Sequence, residues 1–485
     1  MKKLKPIMFV GTGSDVGKSV INAGFCRLFL RDGYAPAPFK AQNMSLNSYA
    51  TADNLEIGRA QAVQAEACGI PCSVDMNPIL LKPNNNLTSQ VVLNGKPSGN
   101  KSAREYFNST DRDKLFDEVM NSYERLANKY NPIVIEGAGS ISELNLRDKD
   151  IVNMRVALHT GAATFLVADI DRGGVFASVY GSIKLLPQEE QDAIKGIIIN
   201  KFRGDISLFE EGKKIIEDLT GKPVVGVVPY FNDIFVEQED SVVMEGKQSG
   251  AVDTKINVAV VLLKHLSNFT DFNMLQQTEG VNLYYTDDVN QLSKADIIII
   301  PGSKNTIADL SLIHQSGVAK AIIEHHKAQK PLYGICGGYQ MMGECVYDPE
   351  GIEGDISEMK GLGILPTSTT LRHGKQTRQC KFEFVDGLCS GEGYEIHSGE
   401  TPSNSPLCHL SNGETDGYCL DQRTWGTYIH GIFDNASVVT SILQKIDPNI
   451  SAVIDYKAKK EEGYNQLAKH IGKHIDMNYI YSVLQ

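Results

Sequence analysis

Ile7-Met8-Phe9-Val10-Gly11-Thr12-Gly13-Ser14-Asp15-Val16-Gly17-Lys18-Ser19 decides the fold of the first half of the chain. The four apolar residues read as a short buried strand. An apolar-periodic helix runs from the end of the loop to about Leu30. Strand, glycine-rich loop and helix in that order are close to a phosphate-binding P-loop, the alternative being a glycine turn with no ligand. The spacing departs from the common G-x4-G-K-[ST]: Thr12 stands where the first glycine belongs, and Gly11 lies one residue further back. The physics survives the shift, because successive backbone N–H groups and a helix N-terminus still face an anion. Gly11, Thr12, Gly13, Ser14, Asp15, Val16, Gly17, Lys18 and Ser19 are therefore expected to bind ATP. Lys18 would reach the β/γ-phosphates, and the Ser19 hydroxyl would ligate Mg2+.

Outward from this loop, further strands recur at Ile133-Val134-Ile135, Thr164-Phe165-Leu166-Val167, Ile197-Ile198-Ile199 and residues 224–228, with helical patterns between them. Continuous apolar strands alternating with helices predict a mostly parallel sheet covered on both faces. Glu136 sits just past a strand C-terminus, the edge where such sheets bind ligands. It is either a Mg2+ carboxylate or a solvated strand end. Asn200-Lys201 is similarly placed to meet a nucleotide base. The polar run Lys40-Ala41-Gln42-Asn43-Met44-Ser45-Leu46-Asn47 reads as a solvated loop or as a surface that reads a large polar ligand by hydrogen bonds. Lys40, Gln42, Asn43, Ser45 and Asn47 are its candidate ligand-binding residues.

Residues 240–255 are polar, and the domain boundary is placed there. The expected division is residues 1–240, residues 251–440, and a C-terminal helical extension over residues 441–485. The fold class is thus α/β, with a P-loop-type, mostly parallel sheet domain followed by a second α/β domain. In that second half, Leu332-Tyr333-Gly334-Ile335-Cys336-Gly337-Gly338-Tyr339-Gln340 follows a strand-like run. Gly334-x-Cys336-x-Gly338 has the spacing of a nucleophile elbow, a sharp strand-to-helix turn. Cys336 is either a buried cysteine in a glycine-rich turn or a nucleophile whose thiolate the helix N-terminus favours. Ile297-Ile298-Ile299-Ile300 is a buried strand, and the Pro301-Gly302-Ser303-Lys304-Asn305-Thr306 loop after it should lie beside the elbow. Backbone N–H groups of Gly302 and Gly337 are the expected oxyanion hole. A cysteine nucleophile needs a base. His325 and His326 lie in a charged helical stretch and read as solvated, whereas His430 ends a strand-like run and precedes a glycine.

The totals exclude several classes. At 485 residues, two or three domains are expected. A net charge of −12 argues against nucleic-acid binding. No run is long and apolar enough for a membrane span, and residues 7–10 are too short for a signal-peptide core. Nine cysteines scattered over the length fit a reducing compartment, so a cytoplasmic location is expected. Cys68 and Cys72 have no second pair nearby and read as structural.

These residues carry a family likeness. The second half resembles a class I, triad-type glutamine amidotransferase domain, with Cys336 and His430 matching its nucleophile and base. The Gly11 to Ser19 loop is similar to that of dethiobiotin synthetase-like ligases. Joined in this order, and with Glu56-Ile57-Gly58-Arg59-Ala60-Gln61, Asp75-Met76-Asn77-Pro78 and the two polar loops quoted above, the halves resemble the cobyric acid synthase family of cobalamin biosynthesis. The resemblance implies ATP- and Mg2+-dependent amidation of the b, d, e and g carboxylates of adenosylcobyrinic acid a,c-diamide, with glutamine as nitrogen source. It implies glutamine and corrinoid as small-molecule partners, with no obligate protein partner. It implies Glu56 as a second Mg2+ ligand and Asn200 as an adenine contact. One departure stands out: triad amidotransferases usually carry Glu two residues after the His, and this chain has Ile432 there. Asp434 and Glu395 are the candidates to orient His430, and the sequence does not decide between them. The alternatives are cobyrinic acid a,c-diamide synthase and a P-loop switch ATPase with a degenerate amidotransferase domain used for protein binding.

Overall fold

The computed structural model describes residues 3–84, 88–107, 112–237, 250–451 and 454–485. The strand Ile7–Gly11 lies in the interior of a six-stranded sheet. Across the sheet the order is Val224–Pro229, Ile194–Phe202, Ala163–Asp169, Ile7–Gly11, Ile133–Glu136 and Ala37–Phe39. Every pairing is parallel. The apolar runs are buried because helices cover both faces. Helix Lys18–Arg31 covers one of them, and helix Tyr456–His474 packs against it. A Cβ on Gly24 would stand 2.2 Å from Ile471 Cδ1, so glycine makes room for the Ile471 side chain between these two helices. The C-terminal helices therefore return to the first sheet, and the final helix Met477–Leu484 bonds back to Lys5.

The polar run after Phe39 is not a solvated loop. Gln42–Met44 pairs with Ile79–Pro83 in a small four-stranded sheet completed by Thr88–Leu93 and Lys96–Ser102. Lys40, Asn43, Ser45 and Asn47 are all buried.

A second six-stranded sheet runs Val281–Thr286, Ile256–Val261, Ile297–Ile300, Leu332–Ile335, Thr424–Thr427 and Tyr418–Asp421, parallel but for the last strand. The long hairpin Ser368–Phe384 with Ser390–Glu400 packs beside it and pairs with Ile429–His430. The linker expected at residues 240–255 lies largely outside the described residues. Among the described residues, no helix is long and apolar enough to cross a membrane.

Candidate active site

Leu332–Ile335 delivers Cys336 to the C-terminal edge of the second sheet, between Ile297–Ile300 and Thr424–Thr427. Cys336 has φ 52° and ψ −109°, a conformation that a residue with a Cβ holds only when its surroundings force it. The forcing contacts are visible. Cys336 N–H donates to Thr427 O at 2.8 Å, and a Cβ on Gly338 would stand 2.0 Å from Ile300 O. The helix behind the elbow, Gly337–Met342, is short. The loop after Ile300 does lie beside the elbow. A Cβ on Gly337 would meet Ser303 N at 2.8 Å, and one on Gly302 would stand 3.1 Å from His430 Cε1.

His430 is 1% exposed, with its ring stacked on Tyr394 at 5.4 Å between centroids. Its Nδ1 lies 2.7 Å from Asp271 Oδ2, and the other oxygen of Asp271 accepts the Gly431 N–H at 3.0 Å. Burial works against a charge on His430. The Asp271 carboxylate and the Cys336 sulfur beside it prevail and hold its pKa up at about 10. His430 thus stands as an imidazolium between a carboxylate and a cysteine. One turn past the elbow, Gln340 Oε1 accepts from Thr306 Oγ1 at 2.9 Å, and its Nε2 donates to the Tyr428 hydroxyl at 3.3 Å.

The orienting group is Asp271, not Asp434 or Glu395. Glu395 is engaged by Arg378, and Asp434 lies after His430 with its Oδ1 buried and, among the described residues, without a hydrogen-bond partner. Asp271 sits 159 residues before His430, in the turn Phe269–Phe272 that follows Ile256–Val261. The signal that could have found it is the strand-end rule used for Glu136: polar groups past the C-terminal edge of a parallel strand are where sites assemble. His325 is not solvated. It is buried, its Nε2 sits 3.0 Å from Pro331 O, and burial lowers its pKa to about 4.

At the first sheet, the P-loop is braced from within. Lys18 Nζ donates to Gly13 O at 2.9 Å and Gly139 O at 3.0 Å. Asn200 Nδ2 donates to Val16 O at 2.8 Å, which places Asn200 as a brace of the loop. Glu136 gathers three donors: Ser19 Oγ at 2.8 Å, Lys40 Nζ at 2.8 Å and Gln64 Nε2 at 2.6 Å. Burial opposes its charge, yet the Lys40 ammonium and these hydrogen bonds hold its carboxyl below the usual range. Glu136 is therefore no solvated strand end. Ser19 and an ionised Glu136 on one spot are a donor set that fits Mg2+.

Glu56 does not fit a second metal site. Its two oxygens take Lys82 Nζ at 2.7 Å and Lys375 Nζ at 2.6 Å, and it lies away from the P-loop cavity. A carboxylate whose two oxygens are each taken by a buried lysine has no reason to bind a further cation. The cavity over the P-loop, about 1160 Å3, is lined by Lys18, Ser19, Lys40, Gln42, Asn43 and Glu136 among others. That exceeds the roughly 300–1,000 Å3 of a single small-ligand pocket. Ser45 and Asn47 do not line it. Ser45 Oγ accepts from Asn47 N–H at 3.0 Å, and Asn47 Oδ1 accepts from Phe269 N–H at 3.3 Å.

Known proteins match this layout. Residues 7–242 match the CobQ/CobB/MinD/ParA nucleotide binding domain, and residues 257–438 match the CobB/CobQ-like glutamine amidotransferase domain. The cobyric acid synthase of Bacteroides fragilis is 58% identical over 100% of this chain and 99% of its own length. That of Parabacteroides distasonis is 56% identical over 99% of both chains. The chain belongs to the cobyric acid synthase family. As a member it is a glutamine-hydrolysing carbon–nitrogen ligase, with a nucleotide-binding half ahead of an amidotransferase half. The Chlorobium phaeobacteroides cobyric acid synthase is 44% identical over 99% of both chains, so the likeness extends across the whole length at greater distance as well.

Proposed function

We propose that this ligase amidates the b, d, e and g carboxylates of adenosylcobyrinic acid a,c-diamide to give adenosylcobyric acid, with ammonia drawn from glutamine and each carboxylate activated by ATP. What carries the reading is one chain that joins a Cys336–His430–Asp271 set to a P-loop whose Ser19 meets the strand-end Glu136. The Cys336 sulfur attacks the amide carbon of glutamine, and the oxyanion that develops faces the N–H groups of Gly302 and Gly337. His430 gives its proton to the departing nitrogen, and ammonia leaves a glutamyl thioester. Water then attacks the thioester, its proton passes to His430, and glutamate leaves.

In the first half a substrate carboxylate oxygen attacks the γ-phosphorus of ATP, and ADP leaves. This turns a poor electrophile into an acyl phosphate. Ammonia adds to that carbon and phosphate departs. Lys18 would neutralise charge on the transferring phosphoryl group. Mg2+, held by Ser19 and Glu136, would supply further charge neutralisation there. Arg112 supports an anionic substrate: its guanidinium lines the cavity and lies over the Tyr106 and Phe107 rings. Ammonia has to travel between the halves shielded from bulk water, where it would be protonated.

The test is Cys336→Ser. Amidation with glutamine should be lost while amidation with ammonium salts is retained. Loss of both would refute the division of labour between the halves.

A further inference from the structure

The reacting groups of the proposed glutaminase all belong to the second half, yet His430 is supported from the first. Phe269 N–H donates to Asn47 Oδ1 at 3.3 Å, and Ser48 N–H donates to Asn268 Oδ1 at 2.9 Å. Asn268 is held at φ 53°, and its carbonyl accepts the Asp271 N–H at 3.0 Å, so residues 268–271 form one bonded turn. Asp271 at the end of that turn holds His430. The ring face has a parallel support. Tyr49 meets Tyr394 edge-on at 4.7 Å, and Tyr394 stacks on His430.

We propose that the corner Asn47-Ser48-Tyr49 is a positioning element for the glutaminase triad, so that the nucleotide-binding half completes the geometry of a site it does not enter. The corner is itself anchored. Ser48 Oγ accepts from Lys82, which pairs with Glu56, and Arg59 lies over the Tyr49 ring at 4.8 Å. It closes the segment that begins at Lys40, whose ammonium rests on Glu136 beside the P-loop. A turn fixed at both ends allows His430 one ring orientation, and a small misplacement of a catalytic group costs rate rather than affinity. The charged or titratable groups around His430 are Asp271 from the turn, Cys336 from the elbow, Tyr394 from the hairpin and Asp434 just beyond it.

The inference rests on Cys336 and His430 being the glutaminase pair, and the test separates the two ideas. Four full-length variants are compared with the unsubstituted chain: Asn268→Gly, Asn268→Asp, Tyr49→Leu and Tyr49→Phe. Glycine keeps the left-handed backbone and deletes the acceptor, while aspartate keeps the acceptor. Leucine deletes the ring, and phenylalanine keeps it. Glutaminase kcat should fall about tenfold in Asn268→Gly and Tyr49→Leu, the scale of one lost buried hydrogen bond or packing contact. The glutamine KM should stay within about twofold, and the alkaline limb of the pH profile should move to lower pH. Asn268→Asp and Tyr49→Phe should restore both the rate and the profile. Ammonium-supported amidation should stay at the unsubstituted level in the Asn268 variants. Full glutaminase rates in Asn268→Gly and Tyr49→Leu would overturn the positioning role alone. So would losses that the conservative variants fail to restore, or losses without a profile shift. Absence of glutaminase in the unsubstituted chain would overturn the underlying reading and this inference together.

Discussion

Replacing Asp271 by asparagine keeps the size of the side chain and removes the charge behind His430. In the structure both carboxylate oxygens are committed, one to His430 Nδ1 at 2.7 Å and one to Gly431 N–H at 3.0 Å. Asparagine keeps one acceptor for Gly431 and turns its NH2 group toward the ring. His430 then presents a lone pair at Nδ1, and its single proton moves to Nε2. The same exchange in a serine triad costs about 10⁴ in kcat. General acid–base assistance is typically worth about 10²–10⁴. Glutaminase kcat should therefore fall by about 10²–10⁴, which is about 3–5 kcal/mol of barrier. The pH dependence has a definite sign. His430 has its pKa raised from 6.5 to about 10, so the stability its charge contributes is full below pH 6.5 and is lost as pH rises through about 10. Asp271→Asn returns His430 toward its ordinary range, narrows that window, and moves the alkaline limb of the glutaminase profile down. The assay is glutamate release at several pH values, with ammonium-supported amidation as the control. A rate within about threefold of the unsubstituted protein, with an unmoved limb, would refute the orienting role.

Three further outcomes follow from the same geometry. Lys18→Ala should lose amidation with either nitrogen source while glutamine hydrolysis survives at least in part, because Cys336 needs no phosphate; parallel assays with glutamine and ammonium check this. Asn43→Ala should raise the corrinoid KM several-fold, the scale of a buried hydrogen bond worth about 0.5–1.5 kcal/mol, with ATP affinity and glutaminase nearly intact; steady-state kinetics with ammonium would show it. Glu56→Gln should lower stability by about 3–5 kcal/mol by stranding Lys82 and Lys375, yet leave nucleotide–Mg2+ affinity unchanged; thermal melts and nucleotide titration distinguish this from a metal-ligand role.

What was legible in the sequence was local. The strand, loop and helix at Ile7 to Ser19 and the elbow at Cys336 are contiguous, and the elbow glycines Gly334, Gly337 and Gly338 mark close approaches of backbone to backbone that a Cβ would block. What was hidden depends on distant pairings. Nothing near Glu56 announces Lys375, which comes from a hairpin 319 residues later and takes the carboxylate that the family resemblance assigns to a metal. Asp271 is hidden because it lies 159 residues before His430, far from the candidates Asp434 and Glu395 that stand nearer to the histidine in sequence. His325 looked solvated from its charged neighbours. Yet Val318, Ile322 and His325 recur at helical spacing and form the buried face of helix Val318–Lys327. The polar run from Lys40 to Asn47 has no apolar period, and its burial follows from hydrogen bonds to Gln61, Glu136 and the Asn268–Phe269 turn.

A single chain that couples glutamine hydrolysis to ATP-driven amidation of a corrinoid should carry out the whole conversion unaided. Purified protein should be incubated with adenosylcobyrinic acid a,c-diamide, ATP, Mg2+ and glutamine, and the corrinoid products followed by mass spectrometry alongside glutamate and ADP. The expected result is stepwise conversion through four amidations to adenosylcobyric acid, with one glutamate and one ADP formed per amide. Glutamine or ATP consumed without new amides on the a,c-diamide would contradict it.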